Sequence, residues 1–184
     1  MVFKDILLKK LFFFTFYIIT SLSLLAQEAK VEDMQLQDFE GTWYIHLTNF
    51  PQWLKEKNEN PTLNYSIGKR NDKKGLNDLV KYERNGKEKT IAGFDFPQDS
   101  TFTKFKWKGK GLLGFVGSEW WVVAYDRDDQ WMITQFESTL FSPAGVDVIS
   151  KSKTLSENEL QEIQQVLDTL KLAQEKPLKR IPQE

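Results

Sequence analysis

From Gly41 onward apolar residues recur mostly at every second position, and that period limits the folds open to this chain. Alternation at two residues marks strands with one buried face. Trp43, Ile45 and Leu47 alternate with Tyr44, His46 and Thr48, and Leu63, Tyr65 and Ile67 alternate with Asn64, Ser66 and Gly68. Leu76, Val80 and Tyr82 share a parity, with Asp78 its polar member. Between Phe102 and Lys110, Phe105 and Trp107 point one way while Lys104, Lys106, Lys108 and Lys110 point the other. Eight such runs begin near residues 42, 62, 76, 88, 101, 119, 130 and 146. A spacing of roughly 10 to 20 residues leaves no room for crossover helices, so the sheet is expected to be antiparallel.

Turn signals separate the runs. Asn85-Gly86 is a two-residue hairpin turn, because both residues tolerate positive φ. Asp126-Arg127-Asp128-Asp129 divides the run Trp120–Tyr125 from Trp131–Phe136, and Ser142-Pro143-Ala144-Gly145 precedes Val146–Ile149. The period then changes. Ser156 and Glu159 form a capping box, after which Leu160, Ile163, Val166, Leu167 and Leu170 make one helical stripe ending near Leu172. Pro177 and Pro182 mark residues 176–184 as a loose basic tail. The expectation is an all-β fold: an eight-stranded antiparallel up-and-down barrel with a C-terminal helix packed outside, wide enough inside for one small ligand.

Composition excludes much chemistry. The 184 residues hold no Cys and one His, which removes thiol nucleophiles, Cys-ligated zinc and every multi-His metal site. No cofactor and no metal is expected. A formal net charge of -1 leaves no electrostatic footprint for nucleic acid. Six Trp, five Tyr and fourteen Phe favour binding something apolar.

Residues 1–26 read as a secretory signal: Lys4, Lys9 and Lys10, an apolar run from Leu11 to Leu25, then Ala26. The run is short for a membrane span, which wants about 20 apolar residues, although a retained anchor is the alternative. Cleavage is expected at Ala26/Gln27, with Ala29 the alternative site, and no Cys follows for lipid attachment. Cleavage removes three lysines and one aspartate, leaving 22 basic and 25 acidic residues. The expected organisation is a signal over 1–26, a barrel domain over 27–175 and the tail. The mature protein is expected in the periplasm or secreted, as a monomer.

Gly41-Thr42-Trp43-Tyr44, opening the first run after a short polar lead, resembles the G-x-W motif of the lipocalins. Phe50-Pro51-Gln52 resembles the bacterial lipocalins related to apolipoprotein D. Trp120 to Tyr125 ending in Asp126 is similar to the family's second conserved region, and Ile149-Ser150-Lys151 falls where the third lies. The resemblance covers about residues 38–172 and includes the capped helix. The family usually has an Arg at the position of Lys151, across the Trp of the opening motif. Lys keeps a cation–π contact there but lacks the planar fork. The resemblance implies a calyx: an apolar cavity closed at one end. Residues Asn49–Pro61 would cross its mouth, with Trp53 and Leu54 as a lid.

Parity predicts the cavity wall. Trp43 plugs the base, with Gly41, Asp126 and Lys151 as the other structural positions. Ile45, Leu47, Leu63, Tyr65, Ile67, Val80, Tyr82, Phe105, Trp107, Trp120, Val122 and Ile149 face inward, and the match to the family favours Trp120 over Trp121. Phe94 and Phe96 are further inward candidates, and the parity of 131–136 is open. Asp78 either orients a polar head group or lies at the rim if the strand slips. His46 falls on the outer face, where one His without a nucleophile motif builds no triad. Gly109 to Gly114 spells G-x-G-x-x-G, but between strands it reads as a mouth loop and not a dinucleotide site. The lysine ladder is a solvated outer wall that also offers a contact to an anionic membrane surface. Asp126, Asp128 and Asp129 are explained by turn chemistry.

The expected function is an exported lipocalin that binds and transports a small hydrophobic ligand: a fatty acid, a lysolipid or another membrane-derived lipid. No enzymatic activity is expected. The alternatives are a lipocalin-fold enzyme on a lipid-like or isoprenoid ligand, using Asp78, Tyr65 or Tyr82, and a filled-barrel structural module.

Overall fold

A computed structural model describes residues 31–183 apart from 32, 56, 140 and 141. The signal segment 1–26 and its cleavage sites lie outside the described residues. Eight strands run up and down: β1 (Gly41–Thr48), β2 (Asn58–Arg70), β3 (Lys73–Arg84), β4 (Lys87–Pro97), β5 (Lys104–Gly109), β6 (Gly117–Asp126), β7 (Trp131–Phe136) and β8 (Gly145–Ser150). Each pairs antiparallel with the next, and β8 and β2 both pair with β1, which closes the barrel. Asn85 and Gly86 take positive φ in the β3–β4 hairpin, as a two-residue turn of this type requires. Among the described residues no helix is long and apolar enough to cross a membrane.

Two clusters divide the apolar residues. The inner one includes Trp43, Ile45, Leu63, Tyr65, Val80, Phe105, Trp120, Val122, Met132 and Ile149. The outer one joins Trp131, Ile133, Val146 and Val148 to the terminal helix through Leu155, Ile163 and Leu167. The parity of β7 is thereby decided: Met132 faces in, while Trp131 and Ile133 face the helix.

The short helix α1 (Leu36–Phe39) closes one end of the barrel, with Met34, Leu36 and Phe39 buried. Trp43 is fully buried there and its Nε1 donates to the Phe39 carbonyl at 2.7 Å. Lys151 Nζ lies 5.0 Å from the Trp43 ring centroid, so the lysine supplies the cation–π contact at the closed end. Asp126 caps the β6–β7 turn, its Oδ1 accepting the backbone N–H of Asp128 at 2.9 Å and of Asp129 at 2.8 Å. The helix α2 (Glu157–Thr169) starts at the expected capping box, with the Glu159 N–H donating to Ser156 Oγ and the Ser156 N–H to Glu159 Oε2.

Four expectations need correction. Leu47 does not face inward. A β-bulge after Ile45 absorbs His46, so Leu47 turns toward the helix cluster while Thr48 pairs with Asp147. His46 is buried on the outer side, its Nε2 3.0 Å from the Ser152 carbonyl oxygen, and burial lowers its pKa. Phe94 and Phe96 are not wall residues: they pack on each other, with Phe94 against Gly75, and the inward position between them belongs to Asp95. The mouth loop is shorter than expected, since β2 begins at Asn58 and accommodates Asn60 and Pro61 in a register shift. Finally, the stretch after Pro177 adds a strand, β9 (Lys179–Arg180), against Leu47 and Thr48, and Ile181 is buried. β2 pairs with β1 only over Gly41–Tyr44, so β9 takes up backbone groups that β2 leaves free on the mouth half of β1.

Candidate functional site

The barrel is filled at one end and hollow at the other. Above Trp43 the filling is aromatic. The Phe39 and Phe105 ring centroids are 5.1 Å apart edge-on, and Phe105 and Trp120 stack at 4.6 Å. Ile45, Val122 and Ile149 belong to the same inner cluster. These residues face inward as their parity requires, but with Phe105 they form the floor and not the wall of the hollow. Ile67 is half-buried against the cluster near α1, where its N–H donates to Glu40 Oε1 at 3.2 Å.

Toward the mouth lies a mostly apolar cavity of about 220 Å³. Of the expected positions, Trp53, Leu63, Tyr65, Asp78, Val80, Trp107 and Trp120 line it. Tyr82 stands beside it, its ring 5.5 Å from that of Trp53. Trp53 is 8% exposed, so the mouth loop turns an aromatic ring inward, as a lid would. That loop is anchored from β2: Asn58 Nδ2 donates to the Gln52 carbonyl at 2.6 Å, and Arg84 Nε donates to Asn58 Oδ1 at 2.8 Å.

Sequence reasoning missed part of the lining, including Phe50, Phe136, Ser118 and Asp147. Phe50 lies over Gly145, where a Cβ would stand 2.6 Å from the ring, and meets Phe136 edge-on at 5.2 Å. The signals were present: Phe136 and Asp147 share the inward parities of β7 and β8. For Phe136 the parity of β7 was open, and Asp147 carries no apolar signal within β8.

The interior is polar in one specific way. Asp78, Asp95 and Asp147 are all buried. Asp78 sits in an unbroken β3–β4 register opposite Gly93, so the strand does not slip. The bare Gly93 lets the Trp107 indole lie across the strand, with Nε1 2.0 Å from where a Cβ would be, and Trp107 hydrogen-bonds Asp78. Trp120 Nε1 donates to Asp95 Oδ1 at 2.7 Å. Thr48 Oγ1 donates to Asp147 Oδ1 at 2.5 Å. Burial pushes Asp78 up to about 7 against the opposing pull of Trp107 and Lys110. Asp95 is also raised well above the ordinary carboxylate range, by burial and by the neighbouring Asp78 charge. Burial also lifts Asp147 to about 7. Tyr65 is raised well above the ordinary phenol range, by burial and then by these three aspartates, so it stays neutral.

No protein-family model matches the sequence, and no curated protein matches it. Solved structures do match. Insecticyanin from the tobacco hornworm Manduca sexta is 17% identical with a TM-score of 0.66, over 86% of this chain and 86% of that one. The cockroach allergen Per a 4 is 12% identical with a TM-score of 0.63, over 86% and 94%. Lobster apocrustacyanin A1 is 10% identical with a TM-score of 0.59, over 86% and 89%. With these neighbours, the closed eight-stranded barrel, the plugged base and the helix on its outer wall, the chain carries the lipocalin fold.

Proposed function

We propose that this chain is an exported carrier that takes up a small hydrophobic molecule of membrane-lipid origin in the mouth half of its barrel. The observation that carries this reading is the cavity of about 220 Å³ between the aromatic floor and Trp53. Affinity comes from apolar area withdrawn from water, at about 25 cal/mol per Å² before association costs. The basic start and apolar run of residues 1–26 support export. Phe50-Pro51-Gln52 supports placement near the bacterial, apolipoprotein D-related lipocalins.

The rim supports loading from a lipid surface. Leu112 is 94% exposed and Phe115 is 77% exposed, on the segment between β5 and β6 that holds the 3₁₀ turn Gly111–Leu113. Lys108 and Lys110 stand beside them in sequence. Apolar tips with flanking cations suit an anionic bilayer. The test is intrinsic fluorescence, since Trp53, Trp107 and Trp120 all line the cavity. A panel of single-chain lipids should shift or quench the emission, and native mass spectrometry should show one molecule per chain. A folded barrel that takes up none of them would refute the proposal.

A further inference from the structure

The cavity that would receive the apolar part of a ligand also shows which head group it is built to hold. Asp78 is 7% exposed and lines the cavity, and its Oδ1 is buried without a hydrogen-bond partner. A buried acceptor with no donor is costly unless a ligand supplies one. Asp147 lines the same cavity, and Glu137 stands at its rim. Among the described residues lining it there is no Lys, Arg or His. The cation that acts on Asp78 is Lys110, an exposed side chain whose Nζ is held by Asn77 Oδ1 at 3.1 Å. Around these carboxyl groups the lining is aromatic, with Trp53, Tyr65, Trp107 and Trp120.

We infer that the ligand carries a basic nitrogen, bound as an ammonium by Asp78 with Asp147 among the surrounding aromatic side chains, with its apolar part in the remaining cavity. This rests on the carrier reading above and narrows it. An ammonium gives Asp78 Oδ1 the donor it lacks, in a charge-assisted hydrogen bond. A fatty-acid carboxylate would do the opposite, bringing a negative charge beside two buried carboxyl groups with no cation among the lining residues to meet it. Of the lipids expected from sequence, the free fatty acid is therefore the one this interior rejects. The raised positions of Asp78 and Asp147 fit an empty site, where burial disfavours the ionised carboxyls and an arriving cation would favour them.

Three probes with one eight-carbon chain separate the cases: octylamine, octan-1-ol and octanoate. They are titrated at pH 7.5 against the full mature chain by tryptophan fluorescence and calorimetry. The expected order is octylamine at least tenfold tighter than octan-1-ol, with octanoate weakest. Asp78→Asn keeps an acceptor for Trp107 and removes the charge. It should lower octylamine affinity about tenfold and bring the amine-to-alcohol ratio close to one. Equal binding of amine and alcohol by the native chain overturns the head-group inference while leaving the carrier reading intact. Tighter binding of octanoate overturns it too. Failure of all three to bind removes both. The amine-to-alcohol ratio of the native chain decides the question even where Asp78→Asn fails to fold.

Discussion

Raising the pH should loosen this fold, and Asp147 sets the scale. Its carboxyl lies inside β8, 3% exposed, with Thr48 as its donor. Burial lifts it from an ordinary 3.8 to about 7 in the folded barrel. In the unfolded chain the group has ionised by pH 5, whereas the native state still holds its proton there. Its favourable contribution is complete below 3.8 and is lost as the pH rises through about 7. Integrated from pH 5 to pH 8, the linkage comes to about 2–3 kcal/mol. In a domain of this size 1 kcal/mol moves the midpoint by about 2–4 °C, so Tm should fall by roughly 8 °C across that range from Asp147 alone. Asp78 adds a shift of the same sign. Asp147→Asn keeps an oxygen for Thr48 and cannot titrate, so its Tm should be flatter by that amount. Calorimetric melts of both proteins at pH 5, 6, 7 and 8 read the difference. His46, whose pKa burial lowers, titrates with the opposite sign but is present in both proteins and cancels. Parallel Tm curves would mean that Asp147 is already ionised in the fold, and would refute the reasoning.

Three further outcomes follow from particular contacts. Gly93→Ala places a methyl 2.0 Å from Trp107 Nε1 and should dislodge the indole from Asp78. Overpacking of this kind costs about 1–3 kcal/mol, read as a lower urea midpoint, and an unchanged midpoint would contradict the placement of Trp107. Lys151→Ala removes the cation 5.0 Å from the Trp43 ring and should cost about 0.5–1 kcal/mol by chemical denaturation, while Lys151→Arg should restore or exceed native stability. Replacing Leu112 and Phe115 together by Ser should abolish flotation with anionic vesicles and leave the melting temperature unchanged, because both side chains are largely exposed. Retained flotation would remove the rim from the proposal.

The barrel was legible because period-two alternation and turn signals are local. Asn85-Gly86, the Asp126 turn and the Ser156–Glu159 box each act within a few residues and form where expected. Trp43 and Lys151 were legible through motif resemblance, and their contact follows. The site was only half legible. Parity assigns a face, so Tyr65, Val80, Trp107 and Trp120 were placed inward. It says nothing about height along the barrel, so Ile45, Phe105, Val122 and Ile149 were assigned to a wall when they fill the floor. Leu47 was lost to one bulge, which reverses the parity of everything beyond it.

By itself, then, the sequence determined the class of fold, the strand order, the capped helix and part of the apolar lining, all of which depend on short-range spacing. Tertiary structure alone decided that the interior stops halfway, that β9 covers the mouth half of β1, and that three aspartates widely separated in the chain share the inside of one barrel. Asp95 and Asp147 look like ordinary polar residues where they stand in their own strands, and Asp78 is set apart only by its parity. Only closure of the sheet removes their water together, and that desolvation turns three unremarkable carboxyl groups into the chemistry of the cavity.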